Sequence, residues 1–176
     1  MNILRLALPA ALLAVMAVAA GCKGSGGLSL EDYLKRIEEA DNQSSERYDA
    51  LRDQLDLLAD QSAPDQERID AAQSAVPEFA SILDDFLAAL EALDPPSEVE
   101  KEHEEALAAG EATSELFDDV ATQVGNAESL IELDQALQPL NGPAYIAADE
   151  RFTGSCLALQ ATADLNKIDV NLDCAE

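Results

Sequence analysis

Apolar residues recur every three or four positions through most of the chain, the spacing of amphipathic helices that bury one face. The first stripe predicts a helix that is capped by Ser29, with Asp32 completing the cap, and that ends near Leu58. Asp41 and Ser44 occupy two stripe positions at its centre. We therefore expect the middle of this helix to be loosely packed or to face solvent.

Two long helices are predicted next. The first runs from about residue 65 to residue 93, and Pro77 within it predicts a kink or a break, because proline removes a backbone donor. The second opens at Ser97, which forms a capping box with Glu100, and stops at Gly125, a residue typical of helix C-termini.

The C-terminal part predicts a short helical piece at about 127–138, for which the alternative is one long helix bent at Gly125, and a last helix at about 144–166. The period then changes to two, as in an extended segment. The apolar positions of this tail are Ile168, Val170, Leu172 and Cys174. The sequence has no strand to pair with the tail, so we expect it to lie along the helices. The predicted fold is all-α, an antiparallel up-down bundle of about four helices over residues 28–176 with an extended C-terminal tail.

The charge of the chain excludes some classes of partner. The 176 residues include 36 Asp and Glu against 10 Lys and Arg, a formal charge of −26. Phosphate would be repelled, so we expect no nucleic-acid partner and no electrostatic binding to anionic lipid. A protein partner that carries basic residues is the class that this charge favours.

The N-terminus has the pattern of an export signal. Arg5 precedes an uncharged apolar run, 6–20, which is shorter than the roughly 20 residues of a membrane span. The run ends in Ala19-Ala20-Gly21-Cys22, which resembles the lipobox of bacterial lipoproteins, although Leu is commoner where Ala19 stands. The alternative is an ordinary secretory signal with an incidental cysteine behind it.

The lipoprotein resemblance implies a route of maturation and a location. Residues 1–21 would be the signal peptide, removed by signal peptidase II, and the prolipoprotein acylation machinery would attach fatty acyl chains such as palmitate to Cys22. Residues 22–27 would then be the lipidated cysteine and a flexible tether. The protein would be anchored in the cell membrane or outer membrane and face the extracytoplasmic side.

The two remaining cysteines predict a disulfide. An exported protein meets an oxidising compartment, and the tail is long enough to double back so that Cys174 reaches Cys156 on the last helix. The alternative is a pair of buried free thiols. The pattern around these cysteines, from Phe152 to Cys174, and the Leu93–Val99 junction resemble small helical lipoproteins of actinobacterial and related lineages. That resemblance supports the architecture and implies no chemistry.

Candidate catalytic or metal-binding residues are few. Glu100 and His103 have the i, i+3 spacing of a di-iron motif, but that site needs a second such motif and the chain has one histidine. Asp169, Asn171 and Asp173 mimic the start of a calcium loop that lacks its later positions. The acidic run from Glu98 to Glu105 is typical of a solvated helix face.

These observations predict no enzyme activity, no cofactor and no metal site. The function that the sequence favours is a non-enzymatic binding or envelope-structural module. The alternative is a lipoprotein that sequesters or senses cations through its acidic helix faces.

Overall fold

The structure is a computed structural model that describes residues 27–174, and this part of the chain contains five α-helices and no strand. The helices are α1 (Leu30–Ala59), α2 (Asp65–Glu91), α3 (Glu100–Gly125), α4 (Leu130–Leu137) and α5 (Pro143–Asn166), with a 3-10 turn (Gln138–Asn141) before α5. The four long helices form the predicted antiparallel bundle, in which α1 packs on α2, α2 on α3 and α3 on α5. The all-α prediction is confirmed, and α4 is a short addition to the four main helices.

The predicted start of α1 is confirmed. The backbone N–H of Asp32 donates to Ser29 Oγ at 3.1 Å, and Ser29 Oγ donates to an Asp32 carboxylate oxygen at 2.6 Å. The predicted start of α3 is wrong, because the Val99 N–H donates to the Pro96 carbonyl in a turn. The helix therefore begins at Glu100, and Ser97 does not cap it.

The predicted stop of α3 at Gly125 is confirmed, whereas the predicted break at Pro77 is wrong. Helix α2 continues through Pro77, whose side chain lies on the exposed face, so the missing backbone donor does not interrupt the core. Gly125 ends α3, but its φ is not positive, so the stop does not use the left-handed conformation that favours glycine.

The core consists of two clusters at opposite ends of the bundle. One joins the start of α1 to the ends of α2 and α5, the start of α3 and the tail, and includes Tyr33, Leu34 and Leu159. The other joins the start of α2 to the end of α3 and to α4, and includes Phe117 and Leu133. None of the helices in the described chain is long and apolar enough to cross a membrane.

A left-handed residue turns the chain back after α5. Lys167 has a φ of 57°, the only positive φ among the described non-glycine residues. The turn is closed by the Ile168 N–H, which donates to the Ala163 carbonyl at 3.0 Å, and by the Lys167 N–H, which donates to Asp164. The chain therefore reverses and runs back beside α5.

The tail is fastened as the sequence predicts. Cys156 and Cys174 form a disulfide with their Cα atoms 5.4 Å apart. Val170 and Leu172 are buried, and the residues that alternate with them, Asp169, Asn171 and Asp173, are exposed, as the two-residue period requires. The Gln160 amide holds the tail backbone from both sides, because its Nε2 donates to the Val170 carbonyl and its Oε1 accepts from the Leu172 N–H.

Candidate functional site

The seam between α1 and α5 is only partly closed, and it opens into a groove of about 600 Å³. The tail lies in one part of this seam and bridges the two helices. The Asn171 N–H donates to Glu38 on α1 at 2.8 Å, and the Leu172 N–H donates to Gln160 on α5 at 2.9 Å. Apart from the tail, α1 and α5 make few direct contacts, and the open part of the seam is the α1–α5 groove.

The floor of the α1–α5 groove is apolar. Its residues come from α1, α2, α3 and α5, and they are Ile37, Phe86, Leu90, Ala106, Phe152 and Leu159. The disulfide and Leu172 close the end that lies against the tail. A volume of this size falls within the range of roughly 300–1,000 Å³ that small-molecule sites occupy.

Three carboxylates surround this floor. Asp41 lies on α1, Asp149 on α5 and Asp173 on the tail. No Lys, Arg or His belongs to the described lining of the groove. Burial raises the pKa of Asp41, a hydrogen bond from the Asp173 backbone partly offsets this, and the negative charges of Asp173 and Glu38 raise the pKa further. The groove therefore has an acidic rim without a compensating cation in its lining.

Aromatic side chains form part of the floor of the groove and also line it nearer the rim. Tyr48 is half-buried, and burial is the main reason that its pKa is raised to about 12. Phe86 and Phe152 meet edge to face with ring centroids 6.1 Å apart. Aromatic faces next to carboxylates form a surface suited to organic cations, which bind to both.

The opening lies near the interruption in the first hydrophobic stripe. Asp41 and Ser44 stand at positions where the other stripe residues are apolar. The Asp41 carboxylate lies at the groove, and the Ser44 hydroxyl donates to the Ala40 carbonyl of its own helix at 3.1 Å. Asp41 therefore offers no apolar side chain that would close the seam against α5, and Ser44 lies on the side of α1 that faces α2.

His103 is part of the core. It is 5% exposed, and its Nδ1 lies 3.0 Å from the hydroxyl of Tyr33, which is fully buried on α1. Burial lowers the pKa of His103, with the negative Glu104 acting in the opposite direction. Glu100 is exposed. Within residues 27–174, no three His, Cys, Asp or Glu side chains are grouped so that they could hold a metal ion.

The other candidate residues have structural or solvated positions. Asp169, Asn171 and Asp173 are exposed, and the Asn171 side-chain amide donates to Asp173 at 2.6 Å rather than leaving an open ring of oxygen ligands. The acidic run from Glu98 to Glu105 is mostly exposed. Cys22, the predicted lipidation site, lies outside the described residues.

Three residues that organise the site were not predicted to do so. Gln160 fastens the tail, Lys167 turns it, and Tyr33 holds the only histidine. The sequence only weakly indicates that Gln160 fastens the tail, because its one signal is a polar side chain on α5 shortly before a tail with alternating apolar residues. No sequence signal links Tyr33 to a partner 70 residues away.

No known protein family, curated protein sequence or solved structure matches this chain. The resemblances at the lipobox and at the C-terminal pattern therefore stay predictions. The class that the structure itself defines is a disulfide-fastened α-helical bundle with an acidic, aromatic-lined groove between its first and last helices.

Proposed function

We propose that this protein is a lipid-anchored, extracytoplasmic binding protein without catalytic activity, and that its ligand site is the α1–α5 groove. The observation that carries this proposal is the groove itself, which has a volume of about 600 Å³ and an apolar floor beneath three carboxylates. A concave apolar surface with a few convergent polar groups is the usual form of a small-molecule site. The lining supplies no histidine and no free thiol, because Cys156 and Cys174 are bonded to each other.

The anchor and the groove are compatible in their spacing. The Leu28 N–H donates to the Asp94 carbonyl at 3.0 Å, so the start of the described chain is held at the junction between α2 and α3. A tether of residues 23–27 would reach about 18 Å at most, at about 3.5 Å per residue. Asp41 lies 13 residues further along, about 20 Å at 1.5 Å per residue, so the groove would open above the membrane surface.

The acidic faces add a preference for basic partners. The run from Glu98 to Glu105 lies at the same end of the bundle as Leu28, and its charge would repel an anionic membrane surface. It would attract a protein that carries basic residues, and the effect would be larger on the association rate than on the affinity. Cation sequestration is less well supported, because the described acidic residues do not form a group of three metal ligands.

The ligand test compares two variants that place the same bulky ring in different positions. Thr153 lines the groove, so Thr153→Trp would fill it, whereas Thr122→Trp adds the same ring to an exposed position on α3. Each protein is purified with its anchor from native membranes, and its bound small molecules are extracted and identified by mass spectrometry. We expect a compound that co-purifies with the native protein and with Thr122→Trp but is missing from Thr153→Trp. Identical extracts from all three proteins would contradict a groove ligand.

The anchor is tested independently. Cys22→Ala should abolish acylation and cleavage by signal peptidase II, which membrane fractionation and mass analysis of the mature N-terminus would detect. A mature chain that begins at another residue and carries no lipid would refute the lipoprotein assignment. A turnover activity that is lost in His103→Ala would refute the assignment as a non-enzymatic protein.

A further inference from the structure

We infer that the α1–α5 groove binds amphipathic organic monocations, compounds with an ammonium or guanidinium group on a small apolar or aromatic body. This inference rests on the proposed function and adds to it the chemical class of the ligand. It follows from three features of the groove that occur together: its depth, the sign of its charge and its aromatic lining.

The first step of the argument is the apolar floor. Phe86, Phe152 and Ile37 come from three different helices and form one surface at the bottom of the groove. An apolar body that covered this surface would remove it from water, which is the main favourable contribution to small-ligand binding. A bare inorganic cation would leave this surface wet and would find no group of three ligands in the described chain.

The second step is the charge of the rim. Asp41, Asp149 and Asp173 reach the groove from three separate elements, so the rim carries negative charge on several sides. Asp41 is half-buried, and its strongest charged neighbours, Asp173 and Glu38, are also negative. The ionised form of Asp41 therefore has a backbone hydrogen bond from Asp173 but no compensating cation in the described lining, and a ligand cation would supply one. An anionic ligand would meet repulsion from all three carboxylates.

The third step is the position of the basic residues. Arg47, which precedes the lining residue Tyr48 on α1, is turned towards α2, where it pairs with Glu78 at 2.7 Å and with Asp85 at 2.6 Å. It is therefore already engaged away from the groove. Tyr48, which follows it in the chain, lines the groove, and its ring also packs on Phe79 with the ring centroids 4.7 Å apart. Aromatic rings attract cations through their faces, so the lining and the rim favour the same charge.

The test uses three probes that share one apolar body and differ in charge: 4-phenylbutylamine, 4-phenylbutanol and 4-phenylbutyrate. The full mature protein is held through its anchor in nanodiscs of zwitterionic lipid, and binding is measured by equilibrium dialysis at neutral pH against empty nanodiscs. We expect saturable binding of the amine, binding of the alcohol weaker by at least about tenfold, and no binding of the carboxylate above the blank. Tighter or equal binding of the alcohol or the carboxylate would overturn the inference.

Matched variants assign the binding to the groove. Asp41→Asn should weaken binding of the amine by about tenfold, since it removes a partly buried charge, whereas Asp53→Asn removes the same charge from an exposed position of α1 and should change it by less than about twofold. Thr153→Trp should abolish binding. Circular dichroism melting of each variant establishes that it is folded.

The outcomes separate this inference from the proposed function. If all three probes bind and Thr153→Trp abolishes each of them, the groove is a binding site, but the cationic class is wrong. If no probe binds while native extracts still contain a groove-dependent compound, the proposed function stands and the ligand class is again overturned. Binding of the amine that is unaffected by both Asp41→Asn and Thr153→Trp would show that the amine binds elsewhere, and it would also overturn the inference.

Discussion

Removal of the disulfide is the perturbation whose effect follows most directly from the fold. Replacing both Cys156 and Cys174 with Ala opens a covalent loop that spans 18 positions of the sequence. In the chain-entropy description, a loop of this size constrains the unfolded state by about 3 kcal/mol at 25 °C. We therefore expect the variant to lose about 3 kcal/mol of unfolding free energy, a large share of the roughly 5–15 kcal/mol typical of a domain.

The variant should still fold, because other contacts hold the tail. Val170 and Leu172 stay buried against α5, and the two Gln160 hydrogen bonds do not depend on the disulfide. The loss should therefore include a local component, in which the tail detaches before the bundle unfolds. The backbone amides of Asn171 and Leu172, which donate to Glu38 and Gln160, should exchange with solvent faster than amides in the centre of α3.

Urea denaturation and hydrogen exchange measure these two components. The midpoint should fall by about 1–3 M, given slopes of about 1–3 kcal/mol/M for domains of this kind. The native protein under reducing conditions should behave like the variant, and Cys22 is left unchanged in both so that the predicted anchor is the same. An unchanged midpoint and unchanged exchange of the tail amides would refute the view that the disulfide fastens the tail.

Three further predictions test the packing of the bundle. Burial holds the pKa of His103 in the folded protein below its ordinary value of 6.5, so unfolding takes up a proton at pH values between the two. The unfolding free energy should therefore fall as the pH decreases through this window, by up to about 1.4 kcal/mol per pH unit. In urea titrations from pH 7 to pH 5, His103→Gln should lack this pH dependence. Gly110→Ala should lower the unfolding free energy by about 1–3 kcal/mol, measured by thermal melting, because the added methyl group meets the Leu87 side chain. Gly125→Ala places its methyl group where no neighbouring atom lies within 4 Å, so it should be neutral or stabilise by up to about 1 kcal/mol. Equal effects of the two substitutions would contradict the close approach of α2 and α3. Lys167→Gly should stabilise the protein by about 1 kcal/mol, because glycine adopts the left-handed backbone conformation of this position without the steric cost of a side chain. A lower melting temperature would show that the Lys167 side chain contributes more to stability than its backbone conformation costs.

The parts of the fold that depend on periodicity could be predicted from the sequence. The apolar spacing indicates four long helices, and the change of period after the last helix indicates an extended tail. The cysteine positions indicate how far back the tail reaches. Each of these signals depends on neighbouring residues or on the length of the tail alone, so these features can be predicted without knowing how the helices pack.

The errors lie where a local signal competes with a neighbouring contact. Ser97 has the residue type and spacing of a helix N-cap. The Val99 N–H, however, donates to the Pro96 carbonyl in a turn, so α3 begins only at Glu100. Pro77 predicts a break, but its ring projects towards solvent and α2 continues. A propensity signal therefore fails when tertiary packing or an adjacent turn already fixes the backbone.

The groove depends on how four helices and the tail meet, which periodicity alone does not specify. Asp41 and Ser44 indicate that the centre of α1 is not a normal core position, and the structure places the Asp41 carboxylate at the opening. The sequence does not indicate that Phe86 and Phe152 would form the floor, or that Asp149 would lie at the rim. Those positions follow from the order in which the helices pack.

The tail links the stability of the bundle to the shape of the groove. It bridges α1 at Glu38 and α5 at Gln160, and it therefore closes one part of the seam while it separates the two helices. The same segment supplies Leu172, Asp173 and Cys174 to the groove lining, and the Asp173 backbone hydrogen bond acts on the Asp41 carboxyl. An untethered tail would remove one wall and one of the three carboxylates from the groove. Opening the disulfide should thus weaken ligand binding under conditions in which the helices remain folded, because the groove depends on the tail more directly than the bundle does.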